Sequence, residues 1–208
     1  MEKLVQTLKD YYQDNLVSVY QYGFPVKNAT IHLLIILKDV TAEAVKPKKF
    51  APPKLSGPIQ YTLFSQDEIT EALDVFPLEF LAMETTKTLL AGTDILHTPI
   101  NNDNLRHECE FTLRSTILKL RAAYLCEEIP TKELIVQSAS SVLIVLAGIL
   151  RIKSLPPASD STELIMTIED TLKISLSELK IPEAADFNRY MTQITELTHY
   201  INSAHSPA

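Results

Sequence analysis

The chain has 208 residues, enough for one large domain or two small ones with a real core. A hydrophobic fraction of 46% excludes general disorder, and a net charge of −7 argues against non-specific nucleic-acid binding, which needs a basic surface. Its first residues, MEKLVQTLKDYYQD, mix charges and lack the continuous apolar run of a signal peptide, so a soluble cytoplasmic protein is expected.

In chain order, Leu4, Val5, Leu8, Tyr11 and Tyr12 recur at helical spacing and predict an amphipathic first helix. Leu16 to Tyr22 and Ile31 to Leu37 read as two strands joined by a hairpin that Pro25 lengthens. KPKKFAPPKLSGPI follows as a Pro- and Lys-rich surface connection in which Lys46, Lys48, Lys49 and Lys54 form a solvated run. QYTLF predicts a short strand, and Ser65 with Glu68 has capping-box spacing, which starts a helix near Gln66. VFPLEFLAM is expected to be a further strand, with Pro77 at an edge or bulge.

From about Asn101 the periodicity is helical only. Leu105, Cys109, Leu113, Ile117, Leu120 and Tyr124 form one stripe of a helix about 40 Å long. The two cysteines, Cys109 and Cys126, lie on that helix roughly 25 Å apart, beyond disulfide reach. Thr131 is expected to cap the next helix, whose Leu134 to Leu150 stretch is uncharged. Serines and Gln137 interrupt its apolarity, so a central bundle helix is favoured over a membrane span. Two more helices are expected, over Glu163 to Leu179 and from Pro182 to Asn202. The predicted class is α+β: a small mixed sheet with flanking helices over residues 1–98, then an antiparallel helical bundle over residues 99–208.

Three stretches resemble the minimal bacterial nucleotidyltransferases with a helical C-terminal half. LVSVYQYGF is similar to the family's strand ending in Gly-Ser, and TIHLLIILKDV to its Asp-x-Asp strand. DVFPLEFLAMETTKTLLAGTDIL, continued by LRHECEFTLRSTILKLRAAYL, resembles the later strand and first bundle helix. Residues two apart on a strand share a face, so the family's paired aspartates reach one metal centre. Here those positions are Thr30 and His32, a poor neutral ligand and an imidazole better suited to zinc than to magnesium. Phe24 replaces the serine after Gly23, and the loop carrying Lys27 and Asn28 has no second glycine.

Glu79 is the candidate third carboxylate, since PLEFL resembles the neighbouring strand; the family's later aspartate is replaced by Ala82 and Met83. Arg106, Glu110, Arg114 and Arg121 share a helix face, either as ligand-binding groups with Lys27 and Asn28 or as an i,i+4 charge ladder. The resemblance therefore implies a degenerate cleft with no catalytic residues, no metal and no cofactor. It implies a protein acting by ligand or protein binding, as a homodimer or beside an active relative, with a nucleotide as one possible ligand. The alternative is a metal-dependent transferase using Glu79 with Asp39 or Asp74.

Overall fold

A computed structural model describes residues 1–23, 31–45, 58–97, 99–127 and 129–203. The chain divides into two compact units: Met1–Val75 with Phe80–Pro99, and Phe76–Glu79 with Ile100–Ala208.

The first unit is built on a four-stranded mixed sheet. Helix α1 (Glu2–Tyr12) buries Leu4, Val5 and Leu8, and a 3-10 turn leads into β1 (Leu16–Tyr22). Strand β2 (Ile31–Leu37) runs antiparallel to β1 from Tyr22↔His32 to Leu16↔Leu37, as the hairpin reading predicts. β3 (Ile59–Ser65) lies parallel to β2, and β4 (Thr88–Gly92) pairs antiparallel with β1, giving the order β3-β2-β1-β4. β2 is thus internal, and Leu33 to Leu37 are buried without alternation. Leu33, Ile35 and Leu37 meet Leu4, Val5 and Leu8 of α1 on one face. On the other face lie Ser18, Tyr20, Leu34 and Ile36, all fully buried, with Phe64 of β3 ring-packed on Phe80.

Ser65 ends β3 and starts α2 (Gln66–Glu71) with both bonds of the predicted capping box. The Glu68 N–H donates to Ser65 Oγ at 3.1 Å, and the Ser65 N–H donates to Glu68 Oε2 at 2.8 Å.

The reading of VFPLEFLAM as a strand is corrected. Pro77–Thr86 is helix α3, with Pro77 at its first position, where proline's missing N–H costs nothing. Its Leu78 N–H donates to Glu108 Oε2 at 2.6 Å, so an orphan donor of the first turn is satisfied by a residue thirty positions away. The strand expected there comes later, as β4. Gly92 closes β4 at φ 83°, where an added Cβ would stand 2.0 Å from Val17 O. The chain beyond is strapped to Tyr20, whose hydroxyl accepts from the Ile95 N–H at 2.8 Å and contacts Asp94 Oδ1 at 3.0 Å. Ser18 Oγ donates to Thr93 O in the same strap.

The second unit is helical. Asn101 caps α4 (Asn102–Cys126), which carries both cysteines, Cys109 buried and Cys126 exposed. Helix α5 (Thr131–Ile152) follows Pro130; Thr131 is its first residue and not the side-chain cap expected. α5 is long and apolar enough to span a membrane by composition, and Val142, Val145, Leu146 and Ile149 are buried in the unit as a core helix requires. At Gly148 an added Cβ would stand 2.6 Å from Cys109 Sγ and 2.9 Å from Leu78 Cδ1, so this close helix approach needs glycine.

The single helix expected over Glu163 to Leu179 is two. Asp160 caps α6 (Ser161–Leu172), which ends with Lys173 left-handed at φ 57°. The one-turn α7 (Ser177–Lys180) follows, and Pro182 belongs to a 3-10 turn before α8 (Phe187–Ser203). The break is held by two glutamate side chains, one half-buried and one buried. Glu169 Oε1 accepts from the Leu176 N–H at 2.8 Å, and Glu178, 6% exposed, accepts from the Asp186 N–H at 2.6 Å while pairing with Arg189 at 3.2 Å. α5 packs on α4, α6 and α8, and α4 also packs on α8.

Candidate functional site

The corner where β1 and β2 meet is formed by Tyr22, Gly23 and His32. Gly23 has φ 101°, a conformation glycine adopts without penalty, and its N–H donates to Thr86 Oγ1 at 2.8 Å. Thr86 Oγ1 in turn donates to Ala82 O at 2.5 Å, so the last turn of α3 holds the corner in place. His32 pairs with Tyr22 across the hairpin, their ring centroids 5.5 Å apart at 48°. The Tyr22 hydroxyl lies 3.0 Å from Thr62 Oγ1 on β3, bridging over β2. Burial pushes the His32 imidazole below its usual pKa, so the ring is neutral at pH 7.

The groups joined here are therefore a neutral imidazole, a phenol and two threonine hydroxyls. Such a set can accept and donate hydrogen bonds and can stack a flat ligand. It does not fit magnesium, which takes several hard oxygen donors. Among the described residues no three His, Cys, Asp or Glu side chains converge as a metal site would require. Phe24, Lys27, Asn28 and Thr30, and the lysines 46, 48, 49 and 54, lie outside the described residues.

The remaining expected residues are distributed elsewhere. Glu79 is on the first turn of α3 and not on a strand; it belongs to the helical unit, whereas His32 belongs to the sheet unit. The protein packed around the Glu79 carboxyl raises its pKa, and Glu108 is raised by its own burial and by the Glu79 charge, against the Leu78 N–H bond. Asp39 lies beyond the opposite end of β2, seven residues from His32, or about 23 Å along an extended strand. Its carboxylate is committed to a turn, accepting from the Thr41 N–H at 2.8 Å and the Thr41 hydroxyl at 3.1 Å. On α4, Arg114 Nε and Nη2 both reach Glu110 Oε1 at 2.8 Å. Among the described residues this is the one rung of the expected ladder that forms an ion pair, and Arg106 and Arg121 share the helix without joining it.

Three residues of the corner were not expected from the sequence: Tyr22, Thr62 and Thr86. Each comes from a different element, and only the position of Tyr22 directly before Gly23 gave a signal.

No protein-family profile and no curated sequence matches this chain. In structure it is similar to a spectinomycin adenyltransferase from Enterococcus faecialis, solved with ATP and spectinomycin. The TM-score is 0.55 at 13% identity, and the match covers 97% of each chain. The fold is that of a nucleotidyltransferase. A nucleotidyltransferase-like protein from Exiguobacterium sibiricum 255-15 also aligns, at 12% identity and a TM-score of 0.38, over 98% of this chain and 75% of that one. The nucleotidyltransferase fold extends through the helical half, because the adenyltransferase is matched along nearly its whole length.

Proposed function

We propose that this nucleotidyltransferase-fold protein works by binding a ligand or a protein and does not transfer nucleotides. The observation that carries the reading is His32. It occupies a position where the resemblance calls for a carboxylate, and it is a neutral ring packed on Tyr22 beside Gly23. A neutral imidazole with hydroxyl neighbours supplies no charge to hold a divalent cation against a triphosphate. Thr30, at the other expected carboxylate position, adds only a hydroxyl.

The corner is suited instead to a flat, polar, uncharged group held by stacking and hydrogen bonds. Protein partnership, with an active relative or another chain, is the second half of the proposal. Incubation with labelled nucleotides, magnesium and a panel of spectinomycin and aminoglycosides tests it. No labelled product and no self-modification are expected, and transfer to any acceptor would overturn the reading.

A further inference from the structure

The sheet unit has a second concave site, on the face of β2 opposite His32. Side chains alternate along a strand, so Leu33, Ile35 and Leu37 take one face and His32, Leu34 and Ile36 the other. On the first face α1 packs over β1 and β2, while the edge strand β3 keeps Tyr61 and Leu63 only half-buried. Between them is a pocket of about 480 Å³, within the range of small-molecule sites. Ile35 and its cross-strand partner Leu63 form the floor, Leu8 and Tyr12 of α1 one wall, and Val40 closes the end beyond β2.

Three polar groups are set into these apolar walls: the phenols of Tyr12 and Tyr61 and the carboxylate of Glu68. Burial raises the pKa of both phenols, and the neighbouring Tyr11 and Tyr61 raise that of Tyr12 further, so both stay protonated at pH 7. Among the described residues that line the pocket, only Glu68 is charged. The capping box fixes it there. Its Oε2 accepts from the Ser65 N–H at 2.8 Å, and its Oε1 makes no hydrogen bond among the described residues.

The lining therefore combines one held negative charge, two neutral phenol rings and an aliphatic floor. An anion would meet Glu68 with no cation in the lining to offset it. A polyol would bury hydroxyls against Leu8, Ile35 and Leu63 without partners. An ammonium on an apolar ring suits all three features: a charge-assisted bond to Oε1, cation–π contact with a phenol, and burial of the ring. We infer that this pocket binds a small arylalkyl ammonium, with its ring on Ile35 and Leu63 and its nitrogen at Glu68. The site lies on the other face of the sheet from the β1–β2 corner and does not depend on how that corner works.

The probes are naphthylmethylamine and its uncharged and anionic counterparts, naphthylmethanol and naphthoate. Binding of each to the full chain is read by isothermal calorimetry, with ligand-observed NMR for weak complexes. The expected result is saturable binding of the amine, at least about fivefold tighter than the alcohol and weakened by salt, with naphthoate weakest. Glu68→Gln keeps an acceptor at the capping-box position and removes the charge, so it should bring the amine to within about twofold of the alcohol. Val40→Trp, which fills the pocket from a half-buried position, should abolish binding of both with unchanged far-UV circular dichroism. No saturable binding of the amine, equal affinity for amine and naphthoate, or an amine preference that survives Glu68→Gln would each overturn the inference.

Discussion

Replacing each of two positive-φ glycines by alanine separates two costs that are usually confounded. At Gly23 the backbone has φ 101°, but an added Cβ would meet only His32 Cδ2, at an ordinary 3.6 Å. The cost of Gly23→Ala is then conformational, about 1–2 kcal/mol. At Gly92, φ is 83° and the Cβ would lie 2.0 Å from Val17 O and 2.9 Å from Ser18 Cα, both backbone atoms of β1. Neither can yield without opening the Ser18↔Gly92 end of the β1–β4 ladder. An overlap of this kind adds about 1–3 kcal/mol to the conformational term, so Gly92→Ala should cost about 2–5 kcal/mol. Both glycines sit in the sheet unit, so both losses are read from one unfolding transition. The chain has no tryptophan, and urea unfolding followed by far-UV circular dichroism is the suitable assay. With a slope of about 2 kcal/mol per molar, Gly92→Ala should lower the midpoint by roughly 1–2.5 M and Gly23→Ala by about 0.5–1 M. Equal shifts would refute the argument that close backbone approach, and not torsion alone, fixes glycine at position 92.

Three further outcomes are expected. Glu110→Gln should change stability by no more than about 0.5 kcal/mol in urea unfolding, because an i,i+4 pair on a helix surface is worth little; a larger loss would give the Glu110–Arg114 pair a role beyond bracing the helix. His32 has a folded pKa lowered by burial, so the unfolded chain binds its proton first and the stability that the neutral ring contributes is lost as pH falls through the unfolded value near about 6.5. His32→Leu should therefore gain on the parent as pH is lowered from 7.5 to 5.5, and a constant difference in urea midpoint would contradict this. Glu108 is the opposite case. Its folded pKa is raised, so its contribution is fullest below the unfolded value and falls as pH rises through the folded one. Glu108→Gln keeps an acceptor for the Leu78 N–H and should raise the urea midpoint at pH 7 but not at pH 4.

The parts of the fold legible in the sequence were those set by local signals. The apolar runs around Gly23, the Ser65–Glu68 spacing and the stripe from Leu105 to Leu120 each specify an element by themselves. PLEFLAM did not, because an apolar run of this length fits a buried strand as well as a buried helix. What decides it is the Glu108 carboxylate at the helix start, which sequence proximity does not reveal. The short edge strand Thr88–Gly92 escaped notice for a related reason, since its exposed Leu89 and Thr88 show no alternation of a half-buried face. The break at Lys173 depends on acceptors from Glu169 and Glu178, again tertiary. At the site, Gly23 and His32 could be found from the resemblance, whereas Thr62 and Thr86 are brought in from β3 and α3.

Calorimetric titration of the full chain with ATP, in the presence and absence of magnesium, tests the central claim most directly. The account predicts that any affinity for the nucleotide is the same in both, since the β1–β2 corner offers the cation no carboxylate pair. Tight binding that appears only when magnesium is added, and that His32→Ala leaves intact, would contradict it.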